Sequence, residues 1–257
     1  MPYITLSGIP TYHEVTGTGP PLLLLHGGFC SIETLRPQID ALSASFTVYA
    51  PERPGQGRTA DREGPITFAQ IVADTLAYLD AMELASANIL GFSDGAIAGL
   101  LLAKDHESRV QSLVAVGANL DPGGLIDDQA IDMGKPADQR SPAIDGMSSI
   151  DAQIRADYDR LSPDGPAHAE VVLEKLARLW REEPKIVPAS LATITAPTMI
   201  MAGDHDSIRI EHTVGIAAAV PASQLCIVPG ASHMVMMERP GLVNQIVREF
   251  LTPAAAV

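Results

Sequence analysis

Gly91-Phe92-Ser93-Asp94-Gly95 is the segment that most narrows the folds open to this chain. It stands between an apolar run at 88–90 and a nearly all-apolar stretch at 95–103. A buried strand followed at once by a buried helix leaves the serine on a turn so tight that side chains at the flanking positions would collide, which glycine avoids. Such a turn lifts the serine hydroxyl above the sheet. The pentapeptide is short, and its context carries the argument, because strand and helix fall where the turn requires them.

The same rhythm runs along most of the chain. Short apolar runs at 11–15, 22–25, 47–50, 88–90, 112–116, 198–201 and 225–228 read as strands, several of them continuous as in strands covered on both faces. Phe68, Ile71, Val72, Leu76, Leu79 and Met82 recur at helical steps, and so do Leu242, Val243, Ile246, Val247 and Phe250. Strand and helix in alternation predict an α/β class, with a mostly parallel sheet of about eight strands and helices on both faces. Between 119 and 190 the rhythm breaks into Gly, Pro and Asp clusters (Asp121-Pro122-Gly123-Gly124, Asp127-Asp128, Ser162 to Pro166) with an amphipathic helix over 172–180. The expected organisation is a core of 1–118 and 191–257 carrying a helical cap over 119–190. The alanine-rich tail at 254–256 is expected to fray.

Composition excludes several classes of partner. With 46% hydrophobic residues in 257, the chain can bury a sizeable core. Its 17 Lys and Arg against 31 Asp and Glu give a net charge of −14, which argues against nucleic acid and against an anionic membrane surface. Cys30 and Cys226 are too few for a disulfide scaffold and are expected to be reduced and packed. The N-terminal sequence lacks the basic-then-apolar pattern of a secretory signal, and the early aliphatic run at 22–25 is far too short to span a bilayer, so a cytoplasmic protein is expected.

A nucleophilic serine needs a base, and the base needs an orienting carboxylate. His233 follows the strand at 225–228, and Asp206 follows that at 198–201. Both stand at carboxyl ends of expected parallel strands, where open α/β sheets build their sites. Ser93, Asp206 and His233 are therefore the candidate catalytic residues. An oxyanion would be held by the backbone N–H groups of Asp94 and of Gly28, in His26-Gly27-Gly28-Phe29, with Gly28 preferred to Phe29. His26 is expected to brace that loop by hydrogen bonding. Asp204 and Asp121 are rival acids. His205 and His212 lack metal-ligand spacing and are expected as exposed loop residues. No metal or cofactor is expected. Phe29, Trp180 and Met234 are candidate pocket residues, while Met234, Met236 and Met237 could equally pack in the core. Trp180 either closes the pocket or anchors the cap helix. The Asp94 carboxylate either attracts a cationic amine or favours the positive end of its helix, a contribution of about 0.3–1 kcal/mol.

Five segments in order, His26-Gly27-Gly28, Ala50 to Gly57, Gly91 to Gly95, Gly203 to Asp206 and Gly230 to His233, resemble the α/β-hydrolase fold superfamily. The likeness covers about 22–120 and 191–251. The order Ser, Asp, His is that of this superfamily, and the offset of Asp206 from Gly203 favours it over its rivals. Serine at 93 separates the chain from the haloalkane dehalogenase and epoxide hydrolase branches, whose nucleophile is a carboxylate. The elbow is similar to that of valacyclovir-hydrolase-like esterases, although Ala96 stands where they carry a further glycine. The resemblance implies cofactor-free hydrolysis of an ester, lactone, thioester or similar acyl bond of a small-molecule substrate. Its alternatives are carbon–carbon bond hydrolysis in aromatic breakdown and a triad-retaining small-molecule receptor with slow turnover. The 119–190 segment holds 14 acidic against 8 basic residues, which disfavours polyanionic substrates such as acyl-CoA and leaves neutral or cationic ones. A homodimer is compatible with this reading.

Overall fold

The computed structural model describes residues 2–126 and 147–252. The expected tail at 254–256 and the Asp127-Asp128 cluster lie outside the described residues. Eight strands, β1 (Tyr3–Leu6), β2 (Ile9–Thr16), β3 (Pro21–Leu25), β4 (Thr47–Pro51), β5 (Ala87–Phe92), β6 (Val110–Val116), β7 (Thr198–His205) and β8 (Gln224–Ser232), form one sheet in the order β1-β2-β4-β3-β5-β6-β7-β8. The first two pairings, β1 with β2 and β2 with β4, are antiparallel, and all the others are parallel. All seven expected strands are present, each at least one residue longer than the apolar run that revealed it. The eighth, β1, was not expected. It is four residues long, exposed at Tyr3 and Thr5 but buried at Leu6, and held in a hairpin with β2.

The helices are α1 (Arg36–Leu42), α2 (Phe68–Ala81), α3 (Asp94–Asp105), α4 (Met147–Leu161), α5 (Ala169–Glu182), α6 (Ile210–Ala219), α7 (Val235–Glu238) and α8 (Pro240–Leu251). Alternate side chains of the central strands enter opposite cores. Leu23, Leu25, Ile89 and Leu113 pack with α2, α3 and α6 on one face, while Leu22, Leu24, Leu90 and Val114 pack with α1 and α8 on the other. Each leucine so buried stabilises the fold by about 1.5–3 kcal/mol relative to exposure. This two-sided burial explains why the central strands read as continuous apolar runs. Helix α3 is buried over most of its circumference, as its composition requires.

Between β6 and β7 the chain leaves the sheet. Helix α5 buries Ala169, Val172, Leu173, Leu176, Ala177 and Leu179 at steps of three and four, and it extends the predicted helix at both ends. Its polar face is tied to the β4–α2 loop. Asp61, whose side chain is buried, accepts from Lys175 Nζ at 2.6 Å and from His168 Nε2 at 2.9 Å. Glu183 accepts the backbone N–H of Phe68 at 2.9 Å, at the start of α2. From α4, Tyr158 stacks on Phe29 with ring centroids 4.9 Å apart. No helix among the described residues is long and apolar enough to cross a membrane.

Candidate active site

Strand β5 ends at Phe92 and α3 begins at Asp94, so the whole reversal falls on Ser93, at φ 53° and ψ −118°. A non-glycine residue held there costs on the order of 1–3 kcal/mol and persists only where its surroundings over-determine it. Here they do. Ser93 N–H donates to Val116 O at 2.8 Å, and Ser93 O accepts from Ala96 and Ile97. A Cβ on Gly91 would collide with the backbone of Gly95, and one on Gly95 with the carbonyl of Leu25.

His233 follows the last residue of β8. Its Nε2 lies 3.0 Å from Ser93 Oγ and its Nδ1 2.7 Å from Asp206 Oδ1. A carboxylate can only accept, so Nδ1 carries the proton and Nε2 is left to accept from the serine hydroxyl. Asp206 Oδ1 also accepts the N–H of Ile208 at 2.9 Å, and its side chain is almost wholly buried. Burial works against an imidazolium at His233, but the charge and hydrogen bond of Asp206 outweigh it, and the imidazole pKa is raised from its ordinary value. The rival acids are engaged elsewhere. Asp204 accepts from Ala231 N–H and from His205, and Asp121 caps the N–H of Gly123.

Residues not singled out from sequence hold this group in place. Ser232 donates to Glu238 through both its backbone N–H, at 2.7 Å, and its hydroxyl, at 2.8 Å, and so fixes the chain beside His233. Gly117, at φ 65°, sits where a Cβ would lie 2.8 Å from His233 Cε1. A glycine directly after the strand expected at 112–116 was the available signal for it.

The other side of the site is the turn after β3. His26 is buried, donates from Nδ1 to Gly27 O at 2.8 Å and accepts the N–H of Arg53 on Nε2 at 3.1 Å. Burial, and then the nearby Arg53 charge, push its pKa well below the ordinary value, so it is a neutral brace. Gly28 lies against the elbow, where a Cβ would come within 2.5 Å of Asp94 Oδ2 and 2.6 Å of Trp180 Cζ2. Asp94 is itself buried, with Oδ1 accepting from Trp180 Nε1 at 2.9 Å. Burial raises its pKa against the opposing pull of Arg53 and Trp180.

Phe29 is buried beside a small cavity that it lines with Cys30, Thr34, Ile154 and Tyr158. Met234 and Met236 are buried in the core on the α1 and α8 side, and Met237 packs against it. His205 is exposed, as expected. His212 is not. It lies in α6, half-buried, and its Nε2 accepts the N–H of Leu120 at 2.8 Å. Both cysteines are free thiols, Cys30 buried and Cys226 half-buried.

An eight-stranded, mostly parallel sheet with a serine on the reversal between β5 and α3 defines an α/β-hydrolase fold. The chain belongs to the alpha/beta hydrolase family, whose model matches residues 22–246. Among curated proteins it is similar to the putative carbamate hydrolase RutD of Azorhizobium caulinodans, 26% identical over 97% of this chain and 98% of that one. It is also similar to the serine hydrolase BPHL of Homo sapiens, 25% identical over 96% of this chain and 85% of the relative. Among solved structures, the enol-lactonase from Burkholderia xenovorans LB400 matches with a TM-score of 0.79 at 21% identity, covering 97% of this chain and 99% of the other.

Proposed function

We propose that this hydrolase cleaves a carboxylic ester or related acyl bond of a small neutral or cationic substrate by way of an acyl-enzyme. The observation that carries the reading is the bridge made by His233, with Ser93 Oγ at 3.0 Å on one nitrogen and Asp206 Oδ1 at 2.7 Å on the other. His233 Nε2 takes the hydroxyl proton as Ser93 Oγ bonds to the acyl carbon. Asp206 keeps the ring in the tautomer that can do so and stabilises the imidazolium. The N–H of Asp94 is free of any intrahelical acceptor because it opens α3, and with the N–H of Gly28 it holds the oxyanion. The imidazolium then protonates the leaving oxygen. A water deprotonated by His233 releases the acid and restores the serine.

Helices α4 and α5 act as a cap over this site, with Trp180 on Asp94 and Tyr158 on Phe29 as its contacts to the core. The net negative charge of 119–190 supports neutral or cationic substrates over polyanions. A putative carbamate hydrolase and a serine hydrolase among the relatives support attack on an acyl carbon.

The test is hydrolysis of p-nitrophenyl acetate and butyrate by the protein and by Ser93→Ala. A loss on the order of 10⁴-fold or more is expected, with steady multiple turnover in the parent. Full activity in Ser93→Ala would end the proposal. A single modification per molecule with a ligand-induced rise in Tm would instead favour a receptor.

A further inference from the structure

We propose that Arg53 is a positioning residue that polarises and locks the one peptide group presenting the Gly28 N–H to the oxyanion. This rests on the acyl-transfer reading above and adds a residue to it. Arg53 is buried, yet among the described residues its guanidinium bonds only to neutral acceptors. Nη1 donates to His26 O at 2.6 Å, Nη2 donates to Gly27 O at 2.6 Å and lies 3.2 Å from the neutral His26 ring at Nδ1, and Gln56 Oε1 is a further acceptor at 3.3 Å. Burying a cation is costly, and a residue needed only to fill space there would not carry one.

The chemistry lies in what shares a bond with Gly27 O. The Gly27 carbonyl and the Gly28 N–H are opposite ends of one planar, conjugated amide. Gly27 O accepts from Arg53 Nη2, from His26 Nδ1 at 2.8 Å and, more weakly, from the backbone N–H of Cys30 at 3.3 Å, so its lone pairs are fully engaged and one donor is cationic. Charge-assisted bonds are roughly twice as strong as neutral ones. Density drawn onto the oxygen leaves the nitrogen end more positive, and linked hydrogen bonds strengthen one another by about 10–30% each. The backbone N–H of Arg53 closes the ring of contacts by donating to His26 Nε2, which keeps the His26 proton on Nδ1, where it faces Gly27 O. Plane and polarity of this amide are thus set before substrate arrives, the condition under which a dipole lowers a barrier most. Arg53 further offsets the Asp94 carboxyl, which lies against Gly28 and would otherwise oppose a negative oxygen.

The experiment uses Arg53→Lys and Arg53→Met, with Tm and circular dichroism as checks on folding. Four quantities are measured: kcat and KM on p-nitrophenyl butyrate, the Ki of an alkyl trifluoromethyl ketone, and the Ki of its unfluorinated counterpart. The fluorinated ketone adds Ser93 Oγ to give an oxyanion, whereas the plain ketone reports ground-state binding. Arg53→Met is expected to lower kcat on the order of 10- to 100-fold with KM within about threefold. Its trifluoromethyl ketone affinity should fall in parallel, and the plain ketone should be unaffected. Arg53→Lys keeps the charge without the planar fork and should recover only part of the loss. If Arg53→Met does not fold, the lysine variant decides alone through its two Ki values. Unchanged fluorinated-ketone affinity overturns the inference, as does equal loss for both ketones, which marks a general collapse of the site. The two readings fail separately. Activity in Ser93→Ala removes the acyl-enzyme itself, while an inactive Ser93→Ala beside an undisturbed Arg53→Lys removes only the role of Arg53.

Discussion

Trp180 donates its indole N–H to the carboxylate of Asp94 at 2.9 Å, which joins helix α5 to the residue immediately after the elbow serine. The acceptor is buried, with its second oxygen Oδ2 unpartnered among the described residues, so it relies on this donor. Trp180→Phe retains most of the ring and removes the donor, leaving a buried carboxyl unsatisfied at a cost of about 1–3 kcal/mol. A fall in Tm of roughly 2–4 °C for each kcal/mol is expected. Asp94→Ala, which removes the acceptor, should show a smaller penalty in the Trp180→Phe background than alone. A double-mutant cycle by thermal melting measures that coupling, and strict additivity would mean that the bond contributes nothing.

The same contact bears on the substrate. An exposed carboxylate beside the nucleophile would favour a cationic amine, but Asp94 is buried, bonded to Trp180, attracted by Arg53 and raised in pKa chiefly by desolvation. An amino-acyl ester and its uncharged isostere are therefore expected to give kcat/KM values within about threefold of each other. A preference of tenfold or more, about 1.4 kcal/mol, for the amine, lost in Asp94→Asn, would show that Asp94 binds it after all.

Much of this site is written in local sequence because local sterics demand it. No side chain fits at Gly91 or Gly95, so the elbow leaves a mark that needs no partner to be read. Ser93 and His233 lie 140 residues apart, yet each follows an apolar run that becomes a parallel strand, and the sheet brings those ends together. What stayed hidden depends on pairings between distant segments. Asp61 meets Lys175 across 114 positions, and neither residue stands out from other charged residues until the chain is folded. Arg53 lies in a recognisable loop, but its bonds to two backbone carbonyls leave no trace in residue type. His212, without metal-ligand spacing, was expected on an exposed loop, whereas α6 turns it inward onto the Leu120 amide. The strand β1 escaped because it is short, with only Ile4 and Leu6 turned toward the core and no longer apolar run to mark it.

The tie between Asp61 and α5 is expected to hold the α4–α5 segment against the core. Asp61→Ala leaves Lys175 and His168 without their shared acceptor, and Lys175 is itself largely buried. Faster proteolytic cleavage between α4 and α5 is the expected outcome, with a drop in Tm. Cleavage rates by gel electrophoresis check it, and parent-like rates would show that apolar packing of α5 alone holds the segment.

Gly117 is tested by a single methyl group. In Gly117→Ala the new Cβ would press on His233 Cε1, and an alanine at φ 65° is strained as well. Displacement of the imidazole should lower kcat about 10²-fold, since catalytic groups act through their exact spacing. Tm should fall by only a few degrees. Steady-state kinetics on p-nitrophenyl butyrate decide the matter, and an undiminished kcat would show that the loop relaxes without moving His233.

His233 acts as a base only when neutral, so kcat/KM should rise with pH through the pKa of the free enzyme. Burial would lower that pKa, but the charge and hydrogen bond of Asp206 outweigh it and the net displacement is upward. The acidic limb of the profile is therefore expected to have its midpoint above the ordinary imidazole value of about 6.5. Asp206→Asn removes the charge that raises it, so the limb should move to lower pH. The amide can also present its N–H₂ to Nδ1, which drives the ring proton onto Nε2 and leaves no acceptor for the serine hydroxyl. A fall in kcat on the order of 10⁴-fold is expected alongside the shifted limb. The measurement is kcat/KM from pH 5 to 9 for both proteins. A limb that stays in place after the substitution would mean that Asp206 does not set the His233 pKa.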